Sequence, residues 1–324
     1  MGRDCPVKAA AAVFAVAAGT AKADPTPARL ASVTFENDFF AGYDRHYTNG
    51  VQVALLVDRD DMPGWLQSTP PIKWSADPQV VFAAGQRIYT PADTVASNPD
   101  PSDRPYAGWA YVMTDVRTVS AGTVDHLMAS LGVVGPASLA RQTQDLAHNV
   151  LGEQDSNGWS HQLHNEPAIL LGYERAWPAV AAGRFGGENY DVALRVGGDI
   201  GNVMTYADFG AVLRVGRNLP TDIPVTHISL GPPRDGYRGT PEFGWYGWIG
   251  FDARAVAHNV FIQGNSFRDS PGVALEPLGA DLQVGVALAW PRARIGFTFV
   301  ERSREFKGQP SPDRFGQLAL SLAY

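Results

Sequence analysis

The sequence is short of cysteine: it has one, Cys5, in 324 residues, and that one lies ahead of the apolar run AAAAVFAVAAG, where a lipid-attachment cysteine would not sit. With the leader removed, the chain has no thiol, which excludes disulfides, thiolate metal sites and cysteine catalysis. Basic runs are absent too. The formal charge is −7, and residues 1–23 carry three positive charges and one negative, so their loss takes it to −9. Nucleic acid is therefore not an expected partner. After the leader no segment has 18 consecutive apolar residues. That excludes membrane-spanning helices but not a barrel, whose strands show only as alternation. No Ser/Gly linker or repeat divides the rest, so residues 24–324 read as one domain. A G-x-S-x-G elbow is also missing, and a hydrolytic role has to rest on something such as activated water.

What is present begins with an address. Arg3 and Lys8 precede the apolar run, and Ala21-Lys22-Ala23 offers a small-residue cleavage site, so residues 1–23 are predicted to be a secretory signal peptide. Beyond it, period-two alternation recurs. Apolar faces are made by Val51, Val53, Leu55 and Val57, by Ile169, Leu171 and Tyr173 with Arg175 interrupting, by Val192, Leu194 and Val196, and by Val284, Val286 and Leu288. In the last segment, FGQLALSLAY, Leu318, Leu320, Leu322 and Tyr324 oppose Gln317, Ala319, Ser321 and Ala323. A final strand ending on an aromatic residue resembles the closing strand of bacterial outer-membrane barrels, which favours a barrel over a soluble sandwich. The expectation is all-β: a transmembrane antiparallel β-barrel of about 12 strands. Trp177, Trp245, Trp248 and Trp290 are placed near strand ends as an aromatic girdle.

Two stretches break the alternation. VTFENDFFAGYDRHYTNGV crowds Asn37, Asp38, Asp44, Arg45, His46, Thr48 and Asn49 into the turn between the first two strands. PASLARQTQDLAHNVLGEQDSNGW predicts a short helix from about Leu139 to Leu151, with Ser138 as N-cap and Gly152 as its stop. Gln144 and His148, four apart, share one face, and Leu139, Leu146 and Leu151 are expected to pin the other. A solvated helix with an incidental histidine is the competing view. Elsewhere, His46 reads as a solvated loop histidine, and Arg104 as pairing with Asp103 to fix its loop rather than meeting a phosphate. His161 and His164 fall on opposite faces of an extended chain, which argues against a shared metal, and Glu166 reads as a strand-end or lumen charge. Ser266 and Ser270 have only His258 nearby.

FENDFFAGYDRHYTNGVQVAL, QRIYTPAD followed by DRPYAGWAY, the QTQDLAHNVLG helix with GWSHQLHNEP, and the later GNSFRDSPGV occur in an order that resembles the outer-membrane lipid A 3'-O-deacylase family. The resemblance implies a twelve-stranded barrel with a calcium-dependent esterase site facing the outer leaflet. The family's Asn-Asp pair falls on Asn37 and Asp38, its strand threonine on Thr48, and its helical glutamine and histidine on Gln144 and His148. It thereby implies Ca2+ held by Asp38 and Thr48, since calcium takes hard oxygen ligands. It implies His148 as the base that takes a proton from water, beside a cation that stabilises the oxyanion. Gln144 would orient the water or the imidazole, and Asn37 would donate to the developing charge or hold the metal ligand. The implied substrate is lipid A of lipopolysaccharide, which loses its 3'-acyloxyacyl group, and the implied enzyme is a monomer in the outer-membrane bilayer. Two departures stand out. The family's acidic residue six after the histidine falls on Gln154, with Glu153 beside it, and Ala92 to Asp103 contains no Lys or Arg. Two alternatives stay open: a serine-type esterase or phospholipase using Ser266 or Ser270, and a non-enzymatic lipid-binding barrel.

Overall fold

The computed structural model describes residues 29–42, 45–68, 70, 78–120, 122–151, 154–220 and 240–324; the predicted signal peptide, Asp44, Gly152 and Glu153 lie outside them. Twelve antiparallel strands, each paired with its sequence neighbours, close on themselves where β12 meets β1. They are β1 (Arg29–Asn37), β2 (His46–Asp58), β3 (Pro78–Thr90), β4 (Ala107–Ser120), β5 (Thr123–Val134), β6 (Glu166–Phe185), β7 (Glu188–Gly201), β8 (Met204–Arg217), β9 (Gly244–Asn259), β10 (Leu278–Trp290), β11 (Ala293–Arg302) and β12 (Asp313–Ala323). The expected all-β barrel of about 12 strands is what forms. Among the described residues three short α-helices accompany it: α1 (Gly64–Gln67), α2 (Ala140–Leu151) and α3 (Val260–Gln263). None of the helices described is long and apolar enough to cross a membrane.

The alternation sorts the two faces in the sense opposite to a soluble protein. Val284 and Val286 are 53% and 62% exposed on the outside, while Gln283 and Ala287 on either side of them are buried. Apolar residues outside and polar ones inside are what a barrel in hydrocarbon requires. The lumen is filled with charge. Arg195 lies 2.9 Å from both Glu174 and Asp208 and also pairs with Asp252. Arg254 and Arg302 share Asp281 at 2.8 and 2.9 Å. The outward Arg175, which broke the apolar run, is neutralised by Asp125 at 2.7 Å, and the Tyr173 hydroxyl donates to the same carboxylate at 2.6 Å. Trp245 and Trp290 are outward at the end holding the termini. Trp248 departs from the girdle expectation: it points inward and packs with Tyr246 and Val212, because its parity on β9 is that of the lumen-facing residues.

The opposite end carries the segments β1–β2, β3–β4, β5–β6, β7–β8, β9–β10 and β11–β12. Just inside this mouth α3 drops a fully buried Val260-Phe261-Ile262 into the barrel, where Phe261 stacks on Tyr89 at 4.2 Å. Tyr47 meets Phe315 at 5.0 Å in the same layer, so aromatic rings close the lumen beneath the rim.

Candidate active site

The first hairpin builds one side of the site. β1 ends at Asn37, opposite Asn49 of β2. The Asn37 side chain accepts the Phe39 N–H at 2.7 Å, which caps a single 3-10 turn, Asp38–Ala41, ended by Gly42 at φ 75°. With its Oδ1 committed, the amide NH2 of Asn37 is the group left to donate. Asp38 is buried, and its Oδ2 accepts the Arg45 N–H at 2.6 Å, closing the turn. Thr48 sits where the β2–β3 register slips between Tyr47 and Asn49, so it is the extra residue of a bulge. Its hydroxyl lies 2.8 Å from that of Thr90. The turn folds outward over the wall: the Phe40 ring meets Phe35 and Phe297 edge-on at 6.0 and 5.6 Å and lies over Gly316, where a Cβ would come within 2.6 Å of Phe40.

Helix α2 builds the other side. Its first turn presses on Gly108, where a Cβ would come within 2.2 Å of both Ala140 Cβ and Ser138 Oγ. Gly108 pairs with Ile88, and both face outward, since their neighbours Arg87 and Trp109 meet inside with the guanidinium 4.8 Å from the indole. Ile88, Tyr106, Ala140 and Trp159 form a small core on that outer surface. The strands run in the order β12, β1, β2, β3, β4, so the 3-10 turn on β12 and the helix on β3–β4 flank the outer face of β1–β2. Asn37, Asp38 and Thr48 of the hairpin and Gln144 and His148 of the helix thus lie on the same rim, outside the wall.

The helix differs from expectation in three ways. Ser138 does not cap it: its hydroxyl donates to the Gly135 carbonyl at 2.6 Å, and Leu139 turns left-handed at φ 61°, so the helix starts at Ala140. Leu139 and Leu146 are 57% and 66% exposed rather than packed; the Leu151 side chain lies outside the described residues. The buried face is instead Ala140, Gln144 and His148. A helix on the outer wall of a membrane barrel turns its leucines away from the protein, the reverse of the soluble pattern.

The histidine is oriented by a backbone group. His148 Nδ1 lies 2.5 Å from the Gln154 carbonyl oxygen, which only accepts, so Nδ1 carries the proton and Nε2 is left with its lone pair. Gln144 is buried, and its Oε1 accepts the Trp159 indole N–H at 2.8 Å. The donors around the hairpin (Asp38, Thr48, Thr90) are all oxygens, a set that suits a hard cation. Among the described residues there is no group of three or more His, Cys, Asp or Glu able to hold a metal. A calcium ion here would draw on one carboxylate with hydroxyl and carbonyl oxygens, a low-charge shell of the kind that binds weakly.

Other polar residues fall into structural places. His46 is buried rather than solvated: Asp313 lies 2.7 Å from Nδ1 and Asp103 3.3 Å from Nε2, tying three loops together. Arg104 is structural, but its carboxylate partner is Glu305 at 3.1 Å; only its backbone N–H reaches Asp103. Glu166 accepts the Ser266 and Phe267 N–H groups at 3.0 and 3.4 Å. Ser266 donates to the Asn202 carbonyl at 2.8 Å, and His258 Nε2 lies 2.9 Å from the same oxygen and so carries a proton. A protonated Nε2, 3.1 Å from that hydroxyl, is not poised to activate it.

The outer membrane protein LpxR family model matches residues 7–324. The chain belongs to that family. The solved LpxR from Salmonella typhimurium superposes with a TM-score of 0.75 at 18% identity, covering 91% of this chain and 100% of that one. A NanC porin structure also matches, at TM-score 0.36 and 8% identity over 92% of this chain and all of its own. No curated protein matches the sequence. For this member of the LpxR family, Thr90 and Trp159 were not singled out from sequence although they lie within QRIYTPAD and GWSHQLHNEP, and Gln154 was noted only for its side chain, because their contacts with Thr48, Gln144 and His148 are made only by the fold.

Proposed function

We propose that this outer-membrane protein hydrolyses an ester of lipid A, removing the 3'-acyloxyacyl group with water activated by His148. The observation that supports it best is the fixed imidazole: with Nδ1–H held by the Gln154 carbonyl, Nε2 is the free base, on the outer rim. In this scheme Nε2 takes a proton from water as its oxygen attacks the ester carbonyl. The carbonyl oxygen gathers negative charge, and the same imidazolium returns the proton to the departing sugar oxygen, giving a carboxylic acid and an alcohol. Asn37 donates its amide hydrogen toward the developing charge. Asp38 and Thr48 would hold calcium, which when bound supplies positive charge beside the ester carbonyl.

Mass spectrometry of lipid A treated with folded wild-type or His148→Ala protein, with calcium and with a chelator, tests this. The expected result is loss of the acyloxyacyl mass only with wild-type protein and calcium, and a rate about 10²- to 10⁴-fold lower without the base. An unchanged lipid A spectrum after incubation with folded wild-type protein in calcium would rule the proposal out.

A further inference from the structure

Building on that scheme, we infer that Trp159 is a positioning residue that makes Gln144 a hydrogen-bond donor to the reacting carbonyl. An indole N–H donates and never accepts. Trp159 is 2% exposed and held on three sides: its ring lies 4.9 Å from that of Tyr106, it shares a core with Ile88 and Ala140, and Gly158 before it leaves no room for a Cβ, which would fall 2.3 Å from Tyr106. Its Nε1 meets Gln144 Oε1 at 2.8 Å. The reversed amide would set donor against donor, so Oε1 stays at the indole and Nε2 is turned away from it. Nε2 is buried and has no hydrogen-bond partner among the described residues. An unmet buried donor is costly to keep unless something arrives to accept from it. Gln144 lies four residues before His148 on the same helix face, so its NH2 and the free Nε2 of the imidazole serve one small volume: the first donates where an ester oxygen becomes negative, and the second faces the water. Gln144 therefore does not orient the water by accepting from it.

Gln144→Glu separates the two roles, because a carboxylate still accepts from the indole but donates nothing. The expected effect is a kcat lower by about 10²-fold with KM little changed. Trp159→Phe keeps the ring on Tyr106 and loses the N–H, and should lower kcat while leaving the barrel folded. In a Gln144→Ala background the same Trp159→Phe change should do nothing further, whereas a purely structural tryptophan would add its own loss. Independently of activity, the Trp159 indole 15N–1H resonance should shift in Gln144→Ala protein. Full activity in Gln144→Glu, multiplying losses in the double variant, or an unmoved indole resonance in an active enzyme would each overturn this inference alone. An inactive wild type would remove the proposed reaction and this inference with it.

Discussion

Replacing Gly108 with alanine adds one methyl group to the outer face of β4. That Cβ would lie 2.2 Å from both Ala140 Cβ and Ser138 Oγ, where ordinary contact begins at 3.4 Å, so something has to retreat by at least 1.2 Å. β4 is hydrogen-bonded along both edges, to β3 and to β5. The turn that starts α2 is held to the wall by its packing and by two bonds, from Gln86 to the Ser138 carbonyl at 2.6 Å and from the Ala137 N–H to Asn165 Oδ1 at 2.7 Å, a lighter attachment than the two ladders of β4, so the helix is what moves. Gln144 and His148 ride on it as one rigid body. A displacement of about 1 Å at a catalytic group costs roughly 10²-fold in rate. Alanine in a strand interior is meanwhile favourable to the barrel by roughly 0.5–1 kcal/mol. Gly108→Ala should therefore lose about 10²-fold in deacylation, read by lipid A mass spectrometry, while its urea midpoint and heat-modifiable migration hold. Gly247→Ala is the control, because its Cβ would meet nothing nearer than the Gly285 carbonyl at 3.6 Å. Adding Ser138→Ala and Ala140→Gly removes both close contacts and should restore most of the rate, at about 1 kcal/mol of helix stability. Wild-type activity in a folded Gly108→Ala barrel would show that the seating of α2 does not control the reaction.

Two further outcomes concern the scaffold. Arg195→Met strands Glu174, Asp208 and Asp252 without their shared cation, and should lower unfolding free energy in vesicles by about 3–5 kcal/mol. A loss below about 1 kcal/mol by urea titration would contradict the lumen charge network. At Asp103, burial pushes the carboxyl upward, but the His46 ring and the N–H groups of Ala92 and Arg104 hold it below its ordinary value. The folded state then binds that proton less readily than the unfolded chain, so the contribution is present above about pH 4 and is lost as pH falls through the lower native value. Wild-type and Asp103→Asn stabilities should converge in acid and separate above that range; parallel curves would refute it.

The barrel was legible because period two is a local property: Val284 and Gln283 declare their faces without any knowledge of the rest of the chain. The hairpin was legible for the same reason, since Asn37 and Thr48 bracket a polar turn that strand pairing must close. Helix α2 was misjudged on its leucines because helical periodicity says which residues share a face but not whether that face meets protein or membrane. Its N-terminus was misjudged because Leu139 adopts a left-handed turn that no capping signal announces. His46 was misjudged because one of its carboxylate partners, Asp313, lies far along the chain and reaches it only by barrel closure. The bulge at Thr48 leaves no trace in composition. Trp159 was invisible as a partner of Gln144 because the intervening segment has to fold back before the indole can reach the helix.

The outward seating of the site changes what a substrate has to do. Withdrawing an acyl chain from hydrocarbon costs about 0.8 kcal/mol per methylene, so lifting a dozen of them into an aqueous lumen would consume about 10 kcal/mol before any bond was broken. A site on the outside of the wall, above a lumen packed with aromatic rings, asks for none of that: in the proposed reaction the ester reaches it sideways with its tail still dissolved in the leaflet. Saturation of such an enzyme is then set by the mole fraction of substrate in the membrane rather than by its amount per litre. Under the proposed reaction the freed fatty acid is likewise released into the leaflet from which it came.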